Sequence, residues 1–190
     1  PGEDRFQGKG VIHCALCDAG LYAGQTVAVC GGGRAGIIEA LYFANHASKV
    51  HVIEAQPGLS ASTALQERAY ANSKLEIRCG AKVVEIVGDE FVTGVQVHNA
   101  ATGHKELLNV SGVLARVGFD PATDYLEGML SLDDRGGIVV NGRSETDVSG
   151  IMAAGDIRSE SLRKVAAAVS DGKTAAMSAQ RFLQSLQQEV

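Results

Sequence analysis

A short β-branched run, Thr26-Val27-Ala28-Val29-Cys30, empties into Gly31-Gly32-Gly33-Arg34-Ala35-Gly36, and a helical periodicity follows at once. The continuous apolar run reads as a strand buried on both faces, as a parallel sheet requires. From Ala35 to Ala47, the residues Ile37, Ala40, Leu41, Ala44 and Ala47 share one helical face. Val50 to Ile53 supplies the next strand, closed by Glu54. Together these make a β-α-β unit whose chemistry follows from its glycines. Gly31 permits the tight turn, Gly33 lets backbone approach a pyrophosphate, and Gly36 lets the helix lie close to the strand. The helix start offers free N–H groups and partial positive charge to phosphates. Glu54 stands where a carboxylate accepts from a ribose 2′-OH and repels a 2′-phosphate. The residues after it, Ala55-Gln56-Pro57-Gly58-Leu59-Ser60, contain no arginine or lysine, so NADH is expected in preference to NADPH. A merely tight strand-to-helix turn is the plainer alternative, and the combination of strand, helix and acid weighs against it.

Upstream lies a second signal, Cys14-Ala15-Leu16-Cys17-Asp18. In a Cys-x-x-Cys pair one thiolate attacks a disulfide and its partner resolves the mixed disulfide. Asp18 is placed to shuttle the proton that a leaving thiolate needs. Structural zinc is an alternative, but it wants four ligands, usually from two such pairs, while Cys30 and Cys79 stand singly. An inert buried pair is a third reading. Cys30 and Cys79 are expected to be structural, and no metal site is expected. A dithiol beside a dinucleotide loop implies electrons moving from nicotinamide to a disulfide.

The rest of the chain reads as a helix over Thr63 to Ala71, a strand over Leu75 to Arg78, and a three-strand antiparallel meander. The meander comprises Ala81 to Val87, Phe91 to Val97 and Glu106 to Val110. Further strands are expected at Gly112 to Val117, Gly137 to Val140 and Gly150 to Ala154, and a helix over Leu162 to Leu186 with a break near Gly172. The fold class is therefore α/β, a Rossmann-like parallel sheet with the meander appended. The 190 residues carry a formal charge of −5, which argues against nucleic acid or an anionic membrane as partner. No apolar run reaches the length of a membrane span, and four cysteines without a secretory pattern suit a cytoplasmic redox protein. Pro1-Gly2-Glu3-Asp4 lacks an initiating methionine, so a longer native chain is expected.

Taken with Gly8-Lys9-Gly10-Val11 ahead of the dithiol, with Gly118-Phe119-Asp120-Pro121 and with Gly150-Ile151-Met152-Ala153-Ala154-Gly155-Asp156, nearly the whole chain resembles the low-molecular-weight thioredoxin reductases. It is similar also to their relative, the flavoprotein component of alkyl hydroperoxide reductase. The resemblance implies an FAD-dependent, NAD(P)H-driven disulfide reductase, a homodimer, acting on a thioredoxin-like or peroxidase-reducing protein disulfide. It implies that Cys17 is the thiol nearest the flavin, Cys14 the interchange thiol and Asp18 the acid/base. Gly118 would mark the crossover towards the flavin domain, Asp156 beside Gly155 would bond the ribityl chain, and Arg163, Lys164 and Val165 would lie beside the isoalloxazine. Residues 1–117 would form the nicotinamide domain carrying the dithiol, and 118–190 the C-terminal part of a split flavin domain. Departures from the family pattern are Glu54-Ala55-Gln56 in place of basic 2′-phosphate residues, Ala19-Gly20 after Asp18, and no earlier flavin-binding glycine loop. Without that earlier stretch, Ile151-Met152 and Val165 to Val169 are expected to lack apolar cover and FAD to be held weakly. A non-catalytic nucleotide-binding module is the reading from another class.

Overall fold

The computed structural model describes residues 1–126 and 128–188. The chain divides into two compact units, one from Pro1 to Gly118 and the other from Phe119 onward.

The first unit is built on a five-stranded parallel sheet. Its strands are β1 (Val11–Ile12), β2 (Thr26–Cys30), β3 (Lys49–Glu54), β4 (Leu75–Cys79) and β8 (Gly112–Ala115), in the order β1-β8-β2-β3-β4. Apart from Thr26 at its start, every residue of β2 is buried, which is why the run reads as continuous rather than alternating. Successive side chains point to opposite faces. Val27 and Val29 join Val50, Val52 and Leu114 in a core under α2 (Arg34–Phe43) and α3 (Thr63–Tyr70). Ala28, Cys30, Ile53 and Val113 face the other way, onto Phe6 and the antiparallel sheet. That second sheet is β5 (Ala81–Gly88), β6 (Val92–Asn99) and β7 (Lys105–Asn109), contributing Ile86, Val95, Val97 and Leu108 to the same core. The unit is thus three layers: helices, parallel sheet, antiparallel sheet.

Helix α2 buries Gly36, Ile37, Ala40 and Phe43, the spacing expected of an inward face. It ends at Phe43 rather than at Ala47. The residues beyond it tighten into turns, with the Asn45 and His46 N–H groups donating to the Tyr42 and Phe43 carbonyls, a common way of satisfying the last carbonyls.

The second unit departs further from expectation. Gly137 to Val140 and Gly150 to Ala154 are not strands; they make only isolated bridges, Leu132–Ile138, Ile138–Arg158 and Glu145–Met152. A strand needs a run of partners along one edge, and Ile138 has one bridge on each side and no more. The core of this unit is small: Leu130, Ile138 and Ala153, flanked by Leu126, Val140, Val148, Ile151 and Ile157. Helix α4 (Val165–Gln188) begins three residues later than expected and runs through Gly172 without a break. A single glycine costs about 1 kcal/mol in a helix. Here the preceding Asp171 is anchored by Arg158, whose Nε and Nη2 donate at 2.6 and 3.0 Å. Ser178 is buried on one face, its Oγ donating to the Arg143 carbonyl at 2.8 Å. Val165 and Val169 are 83% and 69% exposed, the uncovered apolar face anticipated from the sequence, while Ile151 and Met152 are half-buried. No helix among the described residues is long and apolar enough to cross a membrane.

Candidate active site

In parallel strands all carboxyl ends lie along one edge of the sheet, and in open α/β sheets ligands bind in the crevice where the strand order reverses. Here that reversal falls between β2 and β8: from β2 the chain proceeds outward to β3 and β4, then returns to the other side. The glycine loop leaves the end of β2 at this point, and Cys14 lies just past the end of β1, on the same edge.

The loop is shaped by close approach. Gly31 has φ +115°, and a Cβ there would collide with the Arg116 carbonyl, since the extension of β8 runs alongside. Its N–H donates to the Ile53 carbonyl at 2.7 Å, while the Arg116 N–H donates to the Cys30 carbonyl at 2.7 Å. A Cβ on Gly36 would collide with the Gly31 carbonyl, so the first turn of α2 can approach the loop only without a side chain. Gly33 is extended at the helix start; the nearest atom to a Cβ there would be Ser60 Oγ, at 3.5 Å. Glu54, at the end of β3, is buried behind the loop. Its Oε2 accepts the Gly32 N–H at 2.5 Å and its Oε1 the Gln56 N–H at 2.7 Å. Arg34, the first residue of α2, is exposed.

The dithiol sits on α1 (Ala15–Asp18), a single turn capped by Cys14. Cys14 and Cys17 form a disulfide with Cα atoms 5.4 Å apart. The Cys17 N–H donates to Cys14 Sγ at 3.2 Å. Cys17 is exposed, Cys14 half-buried, and Leu16 between them projects into solvent. Asp18 closes the turn, its N–H donating to the Cys14 carbonyl at 3.1 Å. Its charge acts on Tyr22, whose hydroxyl is pushed up in pKa, first by burial and then by Asp18. The Cys30 thiol is pushed up to about 12 by burial and then by Glu3, which leaves it inert. Burial, and then the Glu54 charge, also push up Cys79.

Glu39 on α2 and Arg116 beyond β8 were not singled out from the sequence. They form an ion pair, Nε to Oε1 2.9 Å, and both also bond the backbone on either side of Cys14. The available signal was an arginine in the otherwise apolar run Gly112 to Val117.

The structure thus brings Cys14, Cys17, Asp18, Gly31, Gly33, Gly36 and Glu54 to one sheet edge of the first unit. Gly118 is the last residue of that unit, with φ +157° and open surroundings. The remaining expected residues belong to the second unit. Gly155 has φ +81° and donates to Asp171 Oδ2 at 3.3 Å, and Asp156 accepts from Ser161 Oγ at 3.3 Å. Arg163 has φ +50° and lays its guanidinium 4.7 Å from the centre of the Phe119 ring. Lys164 and Val165 are exposed at the start of α4.

Residues 1–172 match the family described as pyridine nucleotide-disulphide oxidoreductase. The chain is 37% identical to the thioredoxin reductase of Peptoclostridium acidaminophilum, over 97% of this chain and 61% of that one. It is 35% identical to an alkyl hydroperoxide reductase component of Staphylococcus epidermidis, over 94% of this chain and 35% of that one. Among solved structures, Lactococcus lactis thioredoxin reductase superposes with a TM-score of 0.89 at 31% identity, covering 97% of this chain and 61% of that one. T. acidophilum thioredoxin reductase gives a TM-score of 0.85 at 36% identity, over 97% and 60%. The chain therefore spans about three fifths of the length of these reductases. On the match over residues 1–172, it belongs to the pyridine nucleotide-disulphide oxidoreductase family.

Proposed function

We propose that this chain carries the nicotinamide site and the redox disulfide of a thioredoxin reductase-like flavoprotein, which passes electrons from NADH through FAD to Cys14–Cys17 and on to a protein disulfide. The observation that supports this most is the disulfide standing on the same sheet edge as the glycine loop, at the reversal of strand order. The glycine loop fits a pyrophosphate: Gly33 carries no side chain where backbone would approach it, no side chain of Gly33 caps α2, and the first turn of a helix offers N–H groups to an anion. Glu54 fits a ribose, since each of its oxygens has a further lone pair, and its charge disfavours a 2′-phosphate. In the second unit, Gly155, Asp156 and the start of α4 with its exposed valines would face a flavin. When bound, the two cofactors supply the electron pair that opens the disulfide.

The chain's own part is thiol exchange. The Cys14 sulfur, which accepts the Cys17 N–H, is the better-stabilised thiolate and attacks a sulfur of the partner disulfide. A mixed disulfide forms and one partner thiolate leaves. Cys17 then attacks Cys14 Sγ, re-forming the intrachain disulfide and releasing the second partner thiolate. Two electrons pass to the partner, and Asp18 moves protons to the leaving sulfurs. Leu16, exposed between the cysteines, gives an apolar contact for a docking protein.

A stoichiometric assay tests this without flavin. The chain, reduced and freed of reductant, should convert one equivalent of oxidised thioredoxin to dithiol, and Cys14→Ser should abolish the transfer. NADH should bind the oxidised chain and NADPH more weakly. Absence of both transfer and nucleotide binding overturns the proposal. Glu54 and the missing basic residues after it favour a second assignment, the hydroperoxide reductase branch, in which the accepting dithiol belongs to a peroxidase-reducing domain. Preference for such a disulfide over thioredoxin in the same assay would select it.

A further inference from the structure

We propose that Glu39 and Arg116 are positioning residues whose opposed charges bracket Cys14 and set the reactivity of its thiol, an inference that rests on the dithiol-exchange reading above. Arg116 Nη2 donates to the carbonyl of His13, the residue before Cys14, at 2.6 Å. Glu39 Oε2 accepts the N–H of Ala15, the residue after it, at 3.4 Å. The two side chains hold one another through Nε–Oε1 at 2.9 Å and Nη2–Oε2 at 3.3 Å, and Nη1 donates to the Ala115 carbonyl at 2.9 Å. The guanidinium is fixed on all its edges, and both side chains are less than a third exposed. One side chain comes from the helix that the glycine loop opens, the other from the extension of β8 that runs alongside Gly31. The dithiol turn is therefore pinned to both walls of the nucleotide crevice through a single charge pair.

The consequence for chemistry is a matter of sign. After reduction, a thiolate on Cys14 is attracted by Arg116 and repelled by Glu39. Paired, the two nearly cancel, and the sulfur is governed by the Cys17 N–H. With one removed, the other acts alone. Neutralising Glu39 favours the thiolate; neutralising Arg116 disfavours it. A link that merely fastened the turn in place would give the same direction of change whichever end was cut. The other titratable groups on and beside this turn are, once it is reduced, the Cys17 thiol, together with His13 ahead of it, Asp18 on it and Tyr22 in the following 3-10 turn. They are present in every variant and drop out of the comparison.

The test is alkylation of the reduced full chain by iodoacetamide at pH 7, with peptide mass spectrometry separating Cys14 from Cys17 and Cys79. Glu39→Gln should react at Cys14 about threefold faster and Arg116→Gln about threefold slower than the unmodified chain, the size expected from one partly solvated charge. The double variant should return to the original rate. Arg116→Lys, which keeps the charge, should stay near it, and this variant carries the test if Arg116→Gln does not fold. Raising salt to 1 M should pull both single variants back towards the original rate. Shifts in the same direction for the two single variants, or no shift in either, overturn the proposal. Alkylation requires neither nucleotide, flavin nor partner, so failure of the exchange reaction and failure of this inference are read separately.

Discussion

Glu54→Gln is the most demanding test of the glycine loop. The carboxylate accepts two backbone N–H groups, from Gly32 at 2.5 Å and Gln56 at 2.7 Å, in a buried setting. A glutamine amide keeps one acceptor oxygen but turns an NH2 group towards the other N–H, setting donor against donor. A hydrogen bond to a charged group contributes about 1.5–3 kcal/mol, and a buried donor left unpaired costs about 1–3 kcal/mol. The variant should therefore lose about 2–4 kcal/mol of stability. At roughly 2–4 °C per kcal/mol for a chain of this length, Tm should fall by about 5–15 °C. Circular dichroism melting reads the global loss. Amide hydrogen exchange at Gly32 and Gln56 reads the local one, because both N–H groups should lose protection first. The same change removes the charge that opposes a 2′-phosphate, so the ratio of NADPH to NADH affinity should rise at least several-fold. A melting point within about 1 °C of the original, with both amides still protected, would refute the reasoning.

Gly31→Ala should abolish nucleotide binding and lower yield of folded protein, because φ +115° and the Arg116 carbonyl both exclude a Cβ; NADH titration with a melt alongside checks it. Asp18→Asn should slow thiol exchange with thioredoxin by up to about 100-fold while leaving the disulfide formed, as followed by stopped-flow fluorescence. Lys49 first, and also Arg78, hold the Glu76 carboxyl at about 2, below its ordinary 4.5. That pairing stabilises the fold fully above pH 4.5 and is lost as pH falls through about 2, so Glu76→Gln should flatten the acid limb of the stability curve in urea titrations.

The β2–loop–α2–β3 segment was legible because every level agreed: an uninterrupted apolar strand, glycines where backbone must approach backbone, and an inward helical face. The meander was legible for a similar reason, each strand being bounded by its own turn residues. The second unit was less so. Gly137 to Val140 and Gly150 to Ala154 have the composition of strands, but composition does not supply neighbours, and Ile138 finds only single bridges. Gly172 looked like a break because local propensity says nothing of Arg158 anchoring Asp171 beside it. In the candidate site, Cys14, Cys17 and the loop glycines announced themselves by spacing. Glu39 and Arg116 are 77 positions apart, and only the pairing of β8 with β2 brings them together.

Strand β1 is two residues long and lies on the rim of the sheet, paired with β8 and, on its other side, joined only by the single Gln7–Val11 bridge among the described residues. It is the shortest stretch of ladder in the first unit's parallel sheet and the one that leads to the sulfurs. Peeling it away would break fewer cross-strand bonds than moving any other strand there, leaving the nucleotide crevice standing. The reactive turn is thus moored to the sheet by its briefest ladder, and the Glu39–Arg116 pair carries the rest of its hold.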